Sequence, residues 1–105
     1  MGYYALFYHV VENFVERRAP FRQLHLAHAQ RASQGCGLLL AGALADPADT
    51  ALLVFRGDSP DPARAFAESD PYVLNGLVKR WEVRPWNVVV GELFHLPAAT
   101  SQGGA

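Results

Sequence analysis

From Phe21 to Gln34 the chain contains no β-branched residue, and helix formers fill it until Gly35 and Gly37. The segments on either side are of the opposite kind. Tyr3–Val11 is dense in aromatic and β-branched residues, Asn13–Pro20 is a polar, charged connection with Arg17-Arg18 and a proline, and Cys36–Leu44 is a short apolar run bounded by glycines. A helix held between two strands by such short connections has few arrangements open to it. Phe21, Leu24 and Ala32 are expected to share its buried face, with His25 and His28 beside them.

The second half of the chain repeats the alternation. Ala45-Asp46-Pro47-Ala48-Asp49 is a turn, and Thr50–Arg56 is a third strand close enough to the second to form an antiparallel hairpin. Ser59-Pro60-Asp61-Pro62 is a helix start, and Ala63–Glu68 is the helix. It runs into Asp70-Pro71-Tyr72-Val73-Leu74-Asn75-Gly76, where Asp70 is an N-cap, Pro71 suits the first helical position and Gly76 can end the turn left-handed. Val78–Val90 alternates as a last strand, with Trp81, Val83, Pro85 and Asn87 on one side and Glu82, Arg84 and Trp86 on the other. Pro85 suits an edge or a bulge. The order is βαββαβ, the ferredoxin-like α+β pattern: an antiparallel sheet with the helices on one face. The uncovered face is expected to be apolar, and a second copy of the chain would cover it, so a homodimer is expected.

Composition narrows the function classes. The chain has 105 residues, half of them hydrophobic and 18% charged, with a net charge of −1. That suits one domain over residues 1–91, followed by a C-terminal extension over 92–105 whose end is expected to be disordered. No basic stripe is present for a nucleic-acid backbone. The longest apolar run, Gly37–Ala45, is too short for a membrane span, and the N-terminus has no signal-peptide pattern, so a cytoplasmic protein is expected. The single cysteine, Cys36, cannot form an internal disulfide, and its apolar surroundings suggest a buried, inert thiol. His25 and His28 have no third ligand at metal-site spacing, and no glycine-rich phosphate loop occurs, so neither metal nor cofactor is expected.

Two pieces of the sequence resemble the YciI-like (YCII-related) family over about residues 3–90. One is Arg22-Gln23-Leu24-His25-Leu26, followed by Leu38-Leu39-Leu40-Ala41-Gly42. The other is Asp70-Pro71-Tyr72-Val73 with Gly76, leading to Val83-Arg84-Pro85-Trp86. Ala43 stands where the family often has proline. The resemblance implies a dimeric α/β barrel and a His-Asp pair at a cleft between sheet and helices, carried here by His25 and Asp70. Such a pair fixes the imidazole tautomer, favours imidazolium and can move a proton, as isomerases and eliminating lyases require. Arg22, one turn before His25, is a candidate to hold a carboxylate or phenolate; the alternative is a surface arginine paired with Glu16 or solvated. His9, Tyr72 and Gly42 are further candidates to line a substrate pocket, Tyr72 having packing as its plainer role. Two functions stay open at this point: a cofactor-independent acid/base enzyme for a small cyclic or aromatic acid, and a non-catalytic small-molecule-binding dimer. A purely structural reading also stands, with Asp70 a helix cap and His25 facing solvent.

Overall fold

Along β1 (Gly2–Val10) the side chains alternate, and the alternation decides which face of the sheet becomes the core. Leu6, Tyr8 and Val10 join the main hydrophobic cluster, whereas Phe7 and His9 point to the other face. In the computed structural model, which describes residues 1–93, β1 lies inside a four-stranded antiparallel sheet of order β2-β3-β1-β4. β2 is Leu38–Ala43, β3 is Thr50–Gly57 and β4 is Val78–Trp86. Helices α2 (Arg22–Gly35) and α3 (Asp61–Ser69) contribute Ala32, Ala63, Phe66 and Ala67 to the cluster that Leu6, Leu53 and Phe55 build from the sheet. Full burial of each large apolar side chain here contributes about 1.5–3 kcal/mol. The ferredoxin-like α+β fold expected from the element order is therefore the fold observed.

Four local expectations need correction. The connection 13–20 is not irregular: it holds the single-turn helix α1 (Phe14–Arg17), whose Phe14 is buried, and a 3-10 turn follows at Ala19–Phe21. On α2, Leu24 is 59% exposed, and His25, His28, Ala29 and Ala32 face inward instead. Alanine is small enough to bring this helix close to the sheet, so its buried face carries little hydrophobic signal. The second strand is not buried, because β2 is an edge strand; only Leu38 enters the core, and Leu39 and Leu40 are exposed. Cys36 is likewise exposed, since it caps the C-terminus of α2 outside the strand.

The strand β4 stops at Trp86 rather than Val90. Its partner β1 pairs Tyr3 with Trp86, so almost no β1 backbone remains for residues 87–90 to bond. Pro85 lies in this edge strand, as expected, and Trp81 and Val83 pack against the core. Two glycines have a backbone reason. Gly37 adopts φ +80°, where a Cβ would run into the Arg56 carbonyl, and Gly76 ends the short helix α4 (Pro71–Leu74) at φ +74°. The expected extension, beyond Glu92 and Leu93, lies outside the described residues. Among the described residues no helix is long and apolar enough to cross a membrane.

Candidate functional site

Pro71 has no amide hydrogen, so the Tyr72 amide is the donor of α4 that meets the cap: it donates to Asp70 Oδ1 at 2.9 Å. Asp70 is thus a helix cap, but capping accounts for only part of its hydrogen bonding. The carboxylate is fully buried, and the Tyr8 hydroxyl donates to its Oδ2 at 2.7 Å. His25 Nδ1 lies 2.9 and 3.0 Å from the two oxygens. A set made only of donors suits an ionised carboxylate, which can only accept, and assigns the proton of His25 to Nδ1.

That assignment leaves Nε2 with the lone pair. Nε2 has no hydrogen-bond partner among the described residues, and the ring lines a cavity with its side chain 15% exposed. Tyr72 stacks on the imidazole at 3.8 Å between centroids and 5° between planes, and Phe14 meets the Tyr72 ring edge-on at 5.5 Å. These contacts restrict rotation of both rings. His28, three residues along α2, is used differently: its Nε2 donates to the Phe66 carbonyl at 3.0 Å and its ring packs on Phe66.

The cavity holds about 170 Å³ between α2, the start of the helical region and the edge of the sheet. Ala41 and Ala43, paired with the core-facing Leu53 and Ala51, present methyl groups to it. Gly42 pairs with Leu52, so only its backbone contributes to the wall. Tyr8, Arg18, Arg22, His25 and Tyr72 supply the polar lining. Of the residues singled out in the sequence, His25, Asp70, Arg22, Tyr72 and Gly42 therefore come together. His9 does not. Its parity on β1 is opposite to that of Tyr8, and it lies on the open sheet face with Nε2 3.6 Å from Glu82, which Arg80 also approaches.

Tyr8 and Arg18 belong to the site although the sequence reading passed over them. Burial, and then the adjacent Asp70 carboxylate, push the Tyr8 phenol far above its ordinary range, so it remains a donor. With its folded pKa raised, Tyr8 contributes a stability that is complete below the unfolded value of about 10 and is lost as pH rises above it. Unfolding measured between about pH 10 and 12 should show wild type losing about 1.4 kcal/mol per pH unit more than Tyr8→Phe. Parallel curves for the two proteins would refute this.

Burial also raises the Tyr72 pKa, against the opposing charges of Arg18 and Arg22 and with a smaller push from Asp70. Its hydroxyl is buried and makes no hydrogen bond of ordinary geometry, although Arg22 comes near enough to bear on its ionisation.

Residues 1–87 match the model of the YCII-related domain, which spans both halves of the site. The chain belongs to the YCII-related family. No curated protein matches the sequence at a significant level. Among solved structures, this YCII-related chain is similar to a 5-chloro-2-hydroxyhydroquinone dehydrochlorinase from Burkholderia phenoliruptrix, solved with 2,5-dihydroxybenzoquinone. The TM-score is 0.66 at 17% identity, covering 80% of this chain and 92% of that one. The protein Atu4242 from Agrobacterium tumefaciens gives a TM-score of 0.54 at 14% identity, over 82% and 91% of the two chains. A Deinococcus radiodurans protein, assigned provisionally as an antibiotic biosynthesis monooxygenase, gives 0.52 at 18% identity, over 92% and 99%. At these identities the likeness concerns the fold.

Proposed function

We propose that this YCII-related protein is a cofactor-independent acid/base enzyme of lyase or isomerase type, acting on a small cyclic or aromatic acid. The observation that carries the reading is the buried Asp70 carboxylate on His25 Nδ1, which leaves Nε2 free at a cavity. In this mechanism Nε2 takes a proton from an acidic carbon or hydroxyl of the substrate. Asp70 holds the ring in the required tautomer and stabilises the imidazolium that forms, while Tyr8 and the Tyr72 amide hold Asp70. The same imidazolium returns the proton to another atom for isomerisation, or to a departing group for elimination. The cavity volume lies well below the several hundred Å³ that drug-sized ligands need, which favours a single ring.

The test is hydrogen exchange. Cyclic acids with an acidic C–H, incubated with the protein in D₂O, are expected to exchange that hydrogen, as read by NMR, and His25→Gln to stop the exchange. If no such compound exchanges or turns over, the reading is wrong and the cavity serves binding alone.

The enzyme is also read as a cytoplasmic homodimer joined through the open sheet face. Ala5, Phe7, Leu52 and Trp86 line a shallow depression there, and Trp86 is 49% exposed. Two such faces packed together would remove this apolar area from water. Phe7→Arg would place a charge at the centre of that contact, so light scattering should report a dimer for wild type and a monomer for the variant. A monomeric wild type at micromolar concentration would dispose of the idea.

A further inference from the structure

The acid/base chemistry uses His25, Asp70 and Tyr8, and leaves the Tyr72 hydroxyl and two arginines of the cavity without an assignment. The Tyr72 hydroxyl is buried, belongs to a residue that lines the cavity with only 3% exposure, and has Arg22, which can only donate, near its oxygen, so its own hydrogen meets no acceptor among the described residues. A buried O–H without an acceptor is costly, so one in a cavity wall calls for a ligand atom to receive its hydrogen bond. Two cations share its cavity. Arg18 and Arg22 line the same cavity and are close enough for their charge to act on this phenol. Arg18 is held over the Phe14 ring at 5.3 Å, and Phe14 in turn packs edge-on against Tyr72. No acidic side chain lines the cavity, and the Asp70 carboxylate buried behind His25 has its oxygens taken by Tyr8, His25 and the Tyr72 amide. Arg18 and Arg22 form no salt bridge among the described residues.

We propose that Tyr72, Arg18 and Arg22 form an oxyanion subsite that selects a monocyclic ring bearing an acidic oxygen, with the Tyr72 hydroxyl donating to that oxygen. The subsite rests on the reading of the cavity as a substrate site and adds what that reading lacks: a charge requirement and the residue that enforces it. The small volume admits one ring, the methyl groups of Ala41 and Ala43 fit its apolar part, and the arginines exclude a cation. The burial that raises the Tyr72 pKa keeps its proton in place to be donated.

Such a subsite also has a place in the reaction. When Nε2 removes a proton from a ring carbon, the C–H electron pair moves into the ring and onto a conjugated oxygen. No electron leaves the system, and the imidazolium holds the proton until it is returned. An oxygen at Tyr72 would receive its charge beside a donor and two guanidinium groups, which is where stabilisation lowers the barrier.

The experiment is a calorimetric titration at neutral pH with three probes. Benzoate carries its charge on a carboxylate, 2,5-dihydroxybenzoquinone carries it on an acidic ring oxygen, and benzamide has the shape of benzoate without the charge. Wild type should bind at least one anion about tenfold or more tighter than benzamide, and salt should weaken only the anion. Tyr72→Phe should lose about tenfold for that anion and leave benzamide unchanged. The double variant Arg18→Gln/Arg22→Gln should bind all three alike. Preference for benzoate assigns the site to carboxylates, and preference for the quinone to ring oxygens. Benzamide bound as tightly as both anions, anion affinity indifferent to Tyr72→Phe, or no binding of either anion would each overturn the subsite. Failure of the acid/base reading looks different: the anion preference persists in wild type and in His25→Gln, while no probe or cyclic acid exchanges a hydrogen.

Discussion

Asp70→Ala is expected to destabilise the protein by about 2–4 kcal/mol, the combined cost of an orphaned buried donor and a lost helix cap. The carboxylate is fully buried and collects three donors from three parts of the chain: β1, α2 and its own helix. Alanine leaves the Tyr8 hydroxyl in the core with no acceptor, and each such orphan costs about 1–3 kcal/mol. Loss of the cap on α4 adds about 1 kcal/mol. His25 loses least, because its partly exposed ring can turn to water. Asp70→Asn keeps the shape and the acceptor that caps Tyr72, so it should cost less than half as much. Urea unfolding at neutral pH reads both as shifts of the midpoint with unchanged slope. If Asp70→Ala stays within about 1 kcal/mol of wild type, Asp70 is no more than a replaceable cap.

The degree to which these features could be read from the sequence depended on how local their causes are. Asp-Pro-Tyr followed by Gly76 is a complete helix start and stop within seven residues, so α4 and the cap were legible, and the cap position turned out to be where the carboxylate is held. His25 was found by its likeness to a family motif. Tyr8 was missed because β1 is so rich in large apolar residues that its two faces look alike, and for the same reason nothing in the sequence separated His9, a pocket candidate that lies on the open sheet face, from its neighbour. The burial of β2 could not be read locally at all. An apolar run looks the same in a central strand and at an edge, and the sheet order alone makes Leu39 and Leu40 exposed. Leu24 misled because the helix meets the sheet through alanines and histidines, a face without a large apolar marker. Arg18 sits in a segment expected to be a plain connection, and only the turn of helix there points it toward the cavity.

His25→Gln is expected to lower turnover by about 10²–10⁴-fold, the usual contribution of a positioned general base, with a loss of stability near 1 kcal/mol. Glutamine can still donate an amide hydrogen toward Asp70, but it has no basic nitrogen to take the substrate proton. Asp70→Asn should lower the rate as well, by a different route: the neutral amide neither stabilises the imidazolium nor requires its proton on Nδ1. Because both changes disable one proton relay, their effects should not add. The double variant should be no slower than His25→Gln alone. Nitrogen-15 NMR of the imidazole gives the structural half of the test, with the Nδ1–H tautomer dominant in wild type and lost from dominance in Asp70→Asn. A double variant slower by the product of the single losses would mean that the two side chains act separately. Their hydrogen bond would then hold the helix to the turn, with no part in moving a proton.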